Sequence, residues 1–191
     1  MRIYLTDQAR NFPQHLEYLQ RQKVKLYDKE KLIEKVTTIS IDTTKELDEL
    51  HTNLLFDYKI FPSNIMSFLT QWSYEKRQIQ IGDTIVQQAF IPPFRKFSQK
   101  IIIGVRINNI INERDKIGFS YETLEGHIEK GISVFTIEKT PEHKAVFKVH
   151  TFSQPGTLLT KLVGPILSVP YQTYCTRQGL LNIKRQMESS E

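Results

Sequence analysis

The stretch GFSYETLEGHIEKGISVFTIE, residues 118–138, sets two strand-like runs on either side of a corner that reads Gly126-His127-Ile128-Glu129-Lys130-Gly131. FSYETLE and ISVFTIEK carry aromatic and β-branched residues, the composition of a pleated, half-buried surface. Glycine tolerates positive φ and close backbone approach, so the two bracketing glycines mark a tight or bulged turn, and the stretch predicts an antiparallel hairpin.

The same period extends outward from this hairpin. Upstream, QIQIGDTIVQQAFIPP (78–93) alternates through Ile79, Ile81, Ile85 and Ala89, with Gly82-Asp83 as a bend or bulge and Pro92-Pro93 as a stop. SQKIIIGVRINNIINE (98–113) places Ile101, Ile103, Val105 and Ile107 on one face and Ile102, Arg106 and Asn108 on the other. Downstream, TPEHKA is a turn and VFKVHTFS (146–153) a further strand. Residues 78–153 therefore predict a meander of about five antiparallel strands.

The flanks change period. KVTTISIDTT (35–44) reads as a strand. KELDELHTNLLFDYKIF (45–61) and SNIMSFLTQWSY (63–74) carry apolar residues at helical spacing and predict two short helices separated at Pro62. From Thr157, Leu159, Leu162, Val163, Ile166, Val169, Tyr174, Leu181 and Met187 form the stripe of a long C-terminal helix, in which Pro165 and Pro170 predict a kink or a split. Residues 1–34 sustain no single period beyond a short helical run at QHLEYLQRQ and read as an N-terminal extension. The expected organisation is an extension over 1–34, one domain over 35–187 and a polar tail over 188–191.

Composition narrows the class. With 39% hydrophobic residues over 191 positions, the chain has enough apolar mass for a single core. The net charge of +5 is scattered among acidic residues, without the basic stripe and stacking aromatics that mark a nucleic-acid interface. No apolar run is long enough for a membrane span, and no signal peptide opens the sequence, so a cytoplasmic protein is expected. The lone Cys175 can form no internal disulfide and reads as a small core residue. No glycine-rich phosphate loop or Gly-x-Ser-x-Gly elbow occurs, so no cofactor is implied. His127, His143 and His150 lack HxH or HxxxH spacing, which argues against a metal site.

The expected fold class is α+β: a curved antiparallel sheet gripping the long C-terminal helix, with a hollow where the two meet. This order resembles the START-like (SRPBCC) helix-grip superfamily, whose members include the birch-pollen allergen and polyketide cyclases. More narrowly, residues 79–186 resemble an uncharacterised family of bacteria and plants. The resemblance rests on IGDTI at 81, GFSYETLEGHIEKGISVFTIE at 118, FSQPG at 152 and LVGPI at 162. It implies the fold and a bias towards pocket binding, but no reaction.

A small hydrophobic or amphipathic molecule held in that hollow is therefore the expected partner, with an enzyme of the same cavity or a ligand-free interaction module as alternatives. The candidate ligand-binding residues are Arg106, Tyr121, Thr123, His127, Glu129, His150 and Tyr174. His127 and Glu129, two apart, either fix the turn by hydrogen bonds or form a catalytic pair in which Glu129 orients His127 as acid or base. Tyr121 and Thr123 share the face of Phe119, which is either concave and ligand-facing or convex and solvated. Arg106 either reaches a ligand carboxylate or lies on the polar surface, and His150 has the same two readings. Tyr174 reads as packing or as cavity wall.

Overall fold

The computed structural model describes residues 2–43, 45–93, 97–140, 144–155 and 158–189, with side chains described outside 155–170. Among the described residues, eight strands and four α-helices follow one another as β1 (Arg2–Tyr4), α1 (Phe12–Gln20), β2 (Ile33–Ile41), α2 (Asn53–Phe56), β3 (Met66–Thr70), α3 (Gln71–Tyr74), β4 (Thr84–Ile91), β5 (Gln99–Glu113), β6 (Lys116–Thr123), β7 (Glu129–Lys139), β8 (Ala145–Pro155) and α4 (Leu158–Glu188). All strands join one curved antiparallel sheet in the order β2-β8-β7-β6-β5-β4-β3, and β1 pairs with β5 beside the end of β6. The expected five-strand meander is β4 to β8. At the β5–β6 ladder, Ile107 pairs with Tyr121 and Asn109 with Ser120, so Asn108 is bulged out. Such a bulge bends its strand and adds twist.

The sheet has two packed faces. On the concave face, Ile85, Val105, Phe119, Phe135, Phe147 and Val149 meet Leu180, Ile183 and Met187 of α4 and the apolar residues of the segment before β3. On the opposite face, Phe12, Leu16 and Leu19 of α1 pack on Val86, Ile102 and Leu124. The close approach needs Gly104, where a Cβ would lie 2.8 Å from a Leu19 methyl. The N-terminal segment continues along the sheet, with Lys25 N–H on the Thr123 carbonyl at 2.8 Å and Glu125 N–H on the Lys23 carbonyl at 2.9 Å.

Two predicted helices are corrected. Residues 45–61 contain one helical turn, Asn53–Phe56, inside an irregular segment. Leu47, Leu50, Leu54, Leu55, Tyr58 and Ile60 are all buried, so the helical spacing reports burial, which a segment of turns laid on the sheet also satisfies. Tyr58, at φ 59°, ends the turn. Residues 63–74 form strand β3 followed by the single turn of α3; the open edge of β4 takes Met66–Thr70 as its partner. Tertiary pairing overrides the local spacing here.

The strand predicted from residue 78 starts at Thr84. Before it, Asp83 accepts from Gln80 N–H at 2.7 Å and pairs with Arg77, closing a loop. The C-terminal helix is one element from Leu158 to Glu188, not split at Pro165 or Pro170. Its length leaves room for two prolines, each of which removes one helical donor.

Candidate functional site

Alternation along the central strands decides what faces α4. On β7, Ser133 and Phe135 point to the concave side with Glu129; on β6, Tyr121 stands opposite Ser133; on β8, Thr151 stands opposite Ser133 and Val149 opposite Phe135. Between these residues and α4 lies a space of about 160 Å³. Its apolar wall includes Ile60, Phe61, Met66, Ile103, Phe135 and Val149. Its polar end includes Gln87, Tyr121, His127, Glu129, Ser133 and Ser153, and α4 contributes Tyr171, Gln172, Cys175, Thr176 and Gly179.

The polar end is built by the corner between β6 and β7. His127 N–H donates to the Leu124 carbonyl at 3.0 Å, and Lys25 Nζ donates to the His127 carbonyl at 2.7 Å. The His127 Nδ1 accepts the Glu129 backbone N–H at 3.0 Å, which leaves the ring proton on Nε2. The Glu129 carbonyl lies farther from the same nitrogen, at 3.2 Å. Gly126 has φ 84° and Gly131 φ 145°, both in the region that glycine alone enters freely. Thr123 Oγ1 receives Gly131 N–H at 3.2 Å, tying the two ends of the corner together.

Burial separates the two titratable groups of this corner. His127 is buried and desolvation pushes its pKa down to about 3, so the ring is neutral. Desolvation pushes the Glu129 carboxyl up to about 7. Among the described residues, no hydrogen-bond donor or cation reaches that carboxylate. Glu129 thus holds His127 through its backbone, not through a carboxylate–imidazole pair.

A second network stands deeper. Gln87 Nε2 donates to the Tyr58 hydroxyl at 2.5 Å. The Tyr121 ring packs against Tyr58, centroids 6.4 Å apart, and Ser133 stands opposite Tyr121 on β7. Burial raises the pKa of both tyrosines, which remain neutral donors and acceptors. The rings of Phe119 and Phe135 stack on each other and lie tilted against Tyr121, with the Tyr121 and Phe135 centroids 5.3 Å apart. On α4, the Tyr171 hydroxyl donates to the Phe90 carbonyl at 2.8 Å, and burial pushes the neighbouring Cys175 thiol up to about 11.

The structure gathers Tyr121, His127 and Glu129 at this space. Thr123 lies just outside it, holding Gly131. Arg106 points to the opposite face, where its guanidinium donates to the carbonyls of Leu19 at 3.1 Å and Gln20 at 2.9 Å, capping the end of α1. His150 lies on the outer face too, bonded to Glu34 at 2.7 Å and packed on Phe152. Tyr174 is 42% exposed, and Tyr171, one turn earlier, takes the place at the cavity. His143 lies outside the described residues.

Gln87 and Tyr58 were missed by sequence reasoning. The available signal was Gln87-Gln88 inside the apolar run TIVQQAF; both glutamines are buried. Gln88 faces the other way and receives the Gln8 backbone N–H at 2.7 Å. Among the described residues, no three His, Cys, Asp or Glu side chains gather as a metal site, and no helix is long and apolar enough to cross a membrane.

A family model described as "Domain of unknown function (DUF1990)" matches residues 44–181. No curated protein matches. A hypothetical protein from Helicobacter pylori, solved by crystallography, superposes with a TM-score of 0.53 at 8% identity, covering 86% of this chain and 96% of its own. That likeness is one of fold. A protein from Rhizobium loti, at 14% identity, covers 64% of this chain and 82% of its own with a TM-score of 0.34, too low to carry an argument.

Proposed function

We propose that this chain, which belongs to the DUF1990 family, binds a small amphipathic molecule between its curved sheet and its C-terminal helix. The observation that carries this reading is a mainly apolar lining that also holds a half-buried carboxyl, Glu129, with no partner among the described residues. Ligand sites are typically built in this way: apolar area supplies affinity at about 25 cal/mol per Å² buried, and a few convergent polar groups choose the orientation. The volume bounds the ligand. An apolar cavity of about 150 Å³ accommodates benzene, so the approximately 160 Å³ here suits a ring-sized body with a short polar head. The finer fold assignment, a START-like helix grip, belongs to the same proposal and is supported by α4 lying on the concave face.

An enzyme using this cavity is the second reading, and one observation favours it: Glu129 is raised into the range where a carboxyl exchanges protons near neutral pH. Under that reading Glu129 is the acid or base. The neutral His127, its Nδ1 occupied by the turn, fits that role poorly.

Native mass spectrometry of freshly purified protein tests the binding reading. The expected result is a co-purified small molecule that is lost in Ala89→Leu, which places extra carbon in the space. Protein free of any adduct, and unmoved in melting temperature by a set of ring-sized aromatic and aliphatic fragments, would sink it.

A further inference from the structure

The charges around the cavity allow the ligand class to be narrowed, on the premise that the cavity binds a ligand at all. The polar and charged groups that line the space with Glu129 come from several elements. From β2 comes Lys35, an exposed residue whose ammonium donates to Thr173 Oγ1 at 2.9 Å. The corner contributes the His127 ring. From β4 and β6 come Gln87 and Tyr121, engaged with Tyr58; from β8 come Thr151 and Ser153; and α4 adds Tyr171 and Cys175, both held neutral by burial. Lys25 stands behind the corner with its ammonium on the His127 carbonyl. Among the described residues no arginine lines the space; Arg106 is committed to α1 on the other face.

An anionic head group beside Glu129 would therefore meet a carboxyl and a neutral imidazole, while the Lys35 ammonium at the exposed side of the space is engaged with Thr173. A cation would meet a carboxyl left without a counter-charge. We propose that the ligand carries a basic nitrogen, an amine on a small aromatic or branched aliphatic body, whose ammonium pairs with the Glu129 carboxylate while Phe61, Tyr121 and Phe135 receive its apolar part. Like-charge exclusion of carboxylates follows from the same arrangement.

The pairing has a proton signature. Glu129 is largely protonated just below neutral pH, whereas a simple amine is already charged. Binding an ammonium favours the carboxylate, so the Glu129 proton leaves to solvent as the complex forms.

Isothermal titration with benzylamine, benzyl alcohol and benzoate, three probes of one shape, tests the proposal at pH 6 and pH 8. The expected result is benzylamine binding at least tenfold more tightly than either other probe, tighter at pH 8 than at pH 6, with proton release visible as a dependence of the heat on buffer. Glu129→Gln is expected to abolish the amine preference and leave benzyl alcohol unchanged. Benzoate or benzyl alcohol binding as tightly as benzylamine would overturn the inference while leaving the cavity reading intact. A Glu129→Gln variant that loses benzyl alcohol together with benzylamine would also overturn it, since shape and not charge would then be at stake. Failure of all three probes to bind overturns this inference together with the binding reading.

Discussion

His127 Nδ1 accepts the backbone N–H of Glu129 at 3.0 Å, so the two residues of the His-x-Glu corner are joined through the main chain and not through their charges. The imidazole replaces a backbone acceptor in a turn that is otherwise held by Gly126, Gly131 and Thr123. His127→Ala is expected to cost about 1–3 kcal/mol in urea unfolding, because the Glu129 N–H is left without its partner. His127→Asn, whose amide oxygen can accept the same bond, is expected to recover part of that loss. Equal losses in the two variants would show that ring packing and not the bond matters.

The two desolvated groups tilt stability in opposite directions with pH. In the folded chain Glu129 keeps its proton to about pH 7, while its ordinary value is 4.5. Its stabilising effect is complete below pH 4.5 and is lost as pH rises through 7. His127 has a folded value of about 3 against 6.5 ordinarily, so its neutral ring stabilises fully above pH 6.5 and progressively less as pH falls towards 3. The linkages are worth at most about 3 kcal/mol for Glu129 and about 5 kcal/mol for His127. Glu129→Gln is expected to raise stability at pH 8 and leave it nearly unchanged at pH 4. Denaturant midpoints across pH 4–8 check this, and a slope unaltered in the variant would refute it.

Gly131 tolerates no side chain. At φ 145°, an added Cβ would lie 1.9 Å from the Phe152 carbonyl oxygen on β8. Gly131→Ala is expected to destabilise by more than about 3 kcal/mol, because both the backbone conformation and the β7–β8 approach must change. Thermal melting of the purified variant checks this, and a melting temperature equal to that of the parent chain would refute it.

The Tyr58–Tyr121 contact is the deeper anchor of the cavity wall. Tyr58→Phe leaves the Gln87 amide unpaired where Gln87 is only 2% exposed, and is expected to cost about 1–3 kcal/mol. Tyr121→Phe is expected to cost less, since Gln87 keeps its bond to Tyr58. A double-mutant cycle between the two positions is expected to show coupling, because they act in one network.

Arg106 holds α1 and not a ligand. Arg106→Met is expected to accelerate amide exchange in residues 12–20 and to lower stability by about 1–2 kcal/mol, since it releases the Leu19 and Gln20 carbonyls. Fragment binding in the cavity is expected to be unchanged. Loss of binding with α1 still protected would place Arg106 at the site after all.

What the sequence determined by itself was local. Alternation with period two, broken by glycines and turn residues, specified β4 to β8, because neighbouring strands joined by short turns need only local pairing to form hairpins. The apolar stripe after Thr157 likewise specified a helix. It also marked Tyr121, His127 and Glu129 as chemically capable groups. Whether the face of Phe119 and Tyr121 is concave was not legible, because alternation distinguishes two faces without saying which one a distant helix will cover. The tertiary structure decided that, with α4 packed on one face and α1 on the other. It also turned Met66–Thr70 from an apparent helix into the partner of β4, recruited Tyr58 and Gln87 into one network, and gave Arg106 to the end of α1. Each of these depends on contacts between residues far apart in the chain. Neither periodicity nor spacing encodes which distant element arrives, and burial against that element set the role of every polar group at the site.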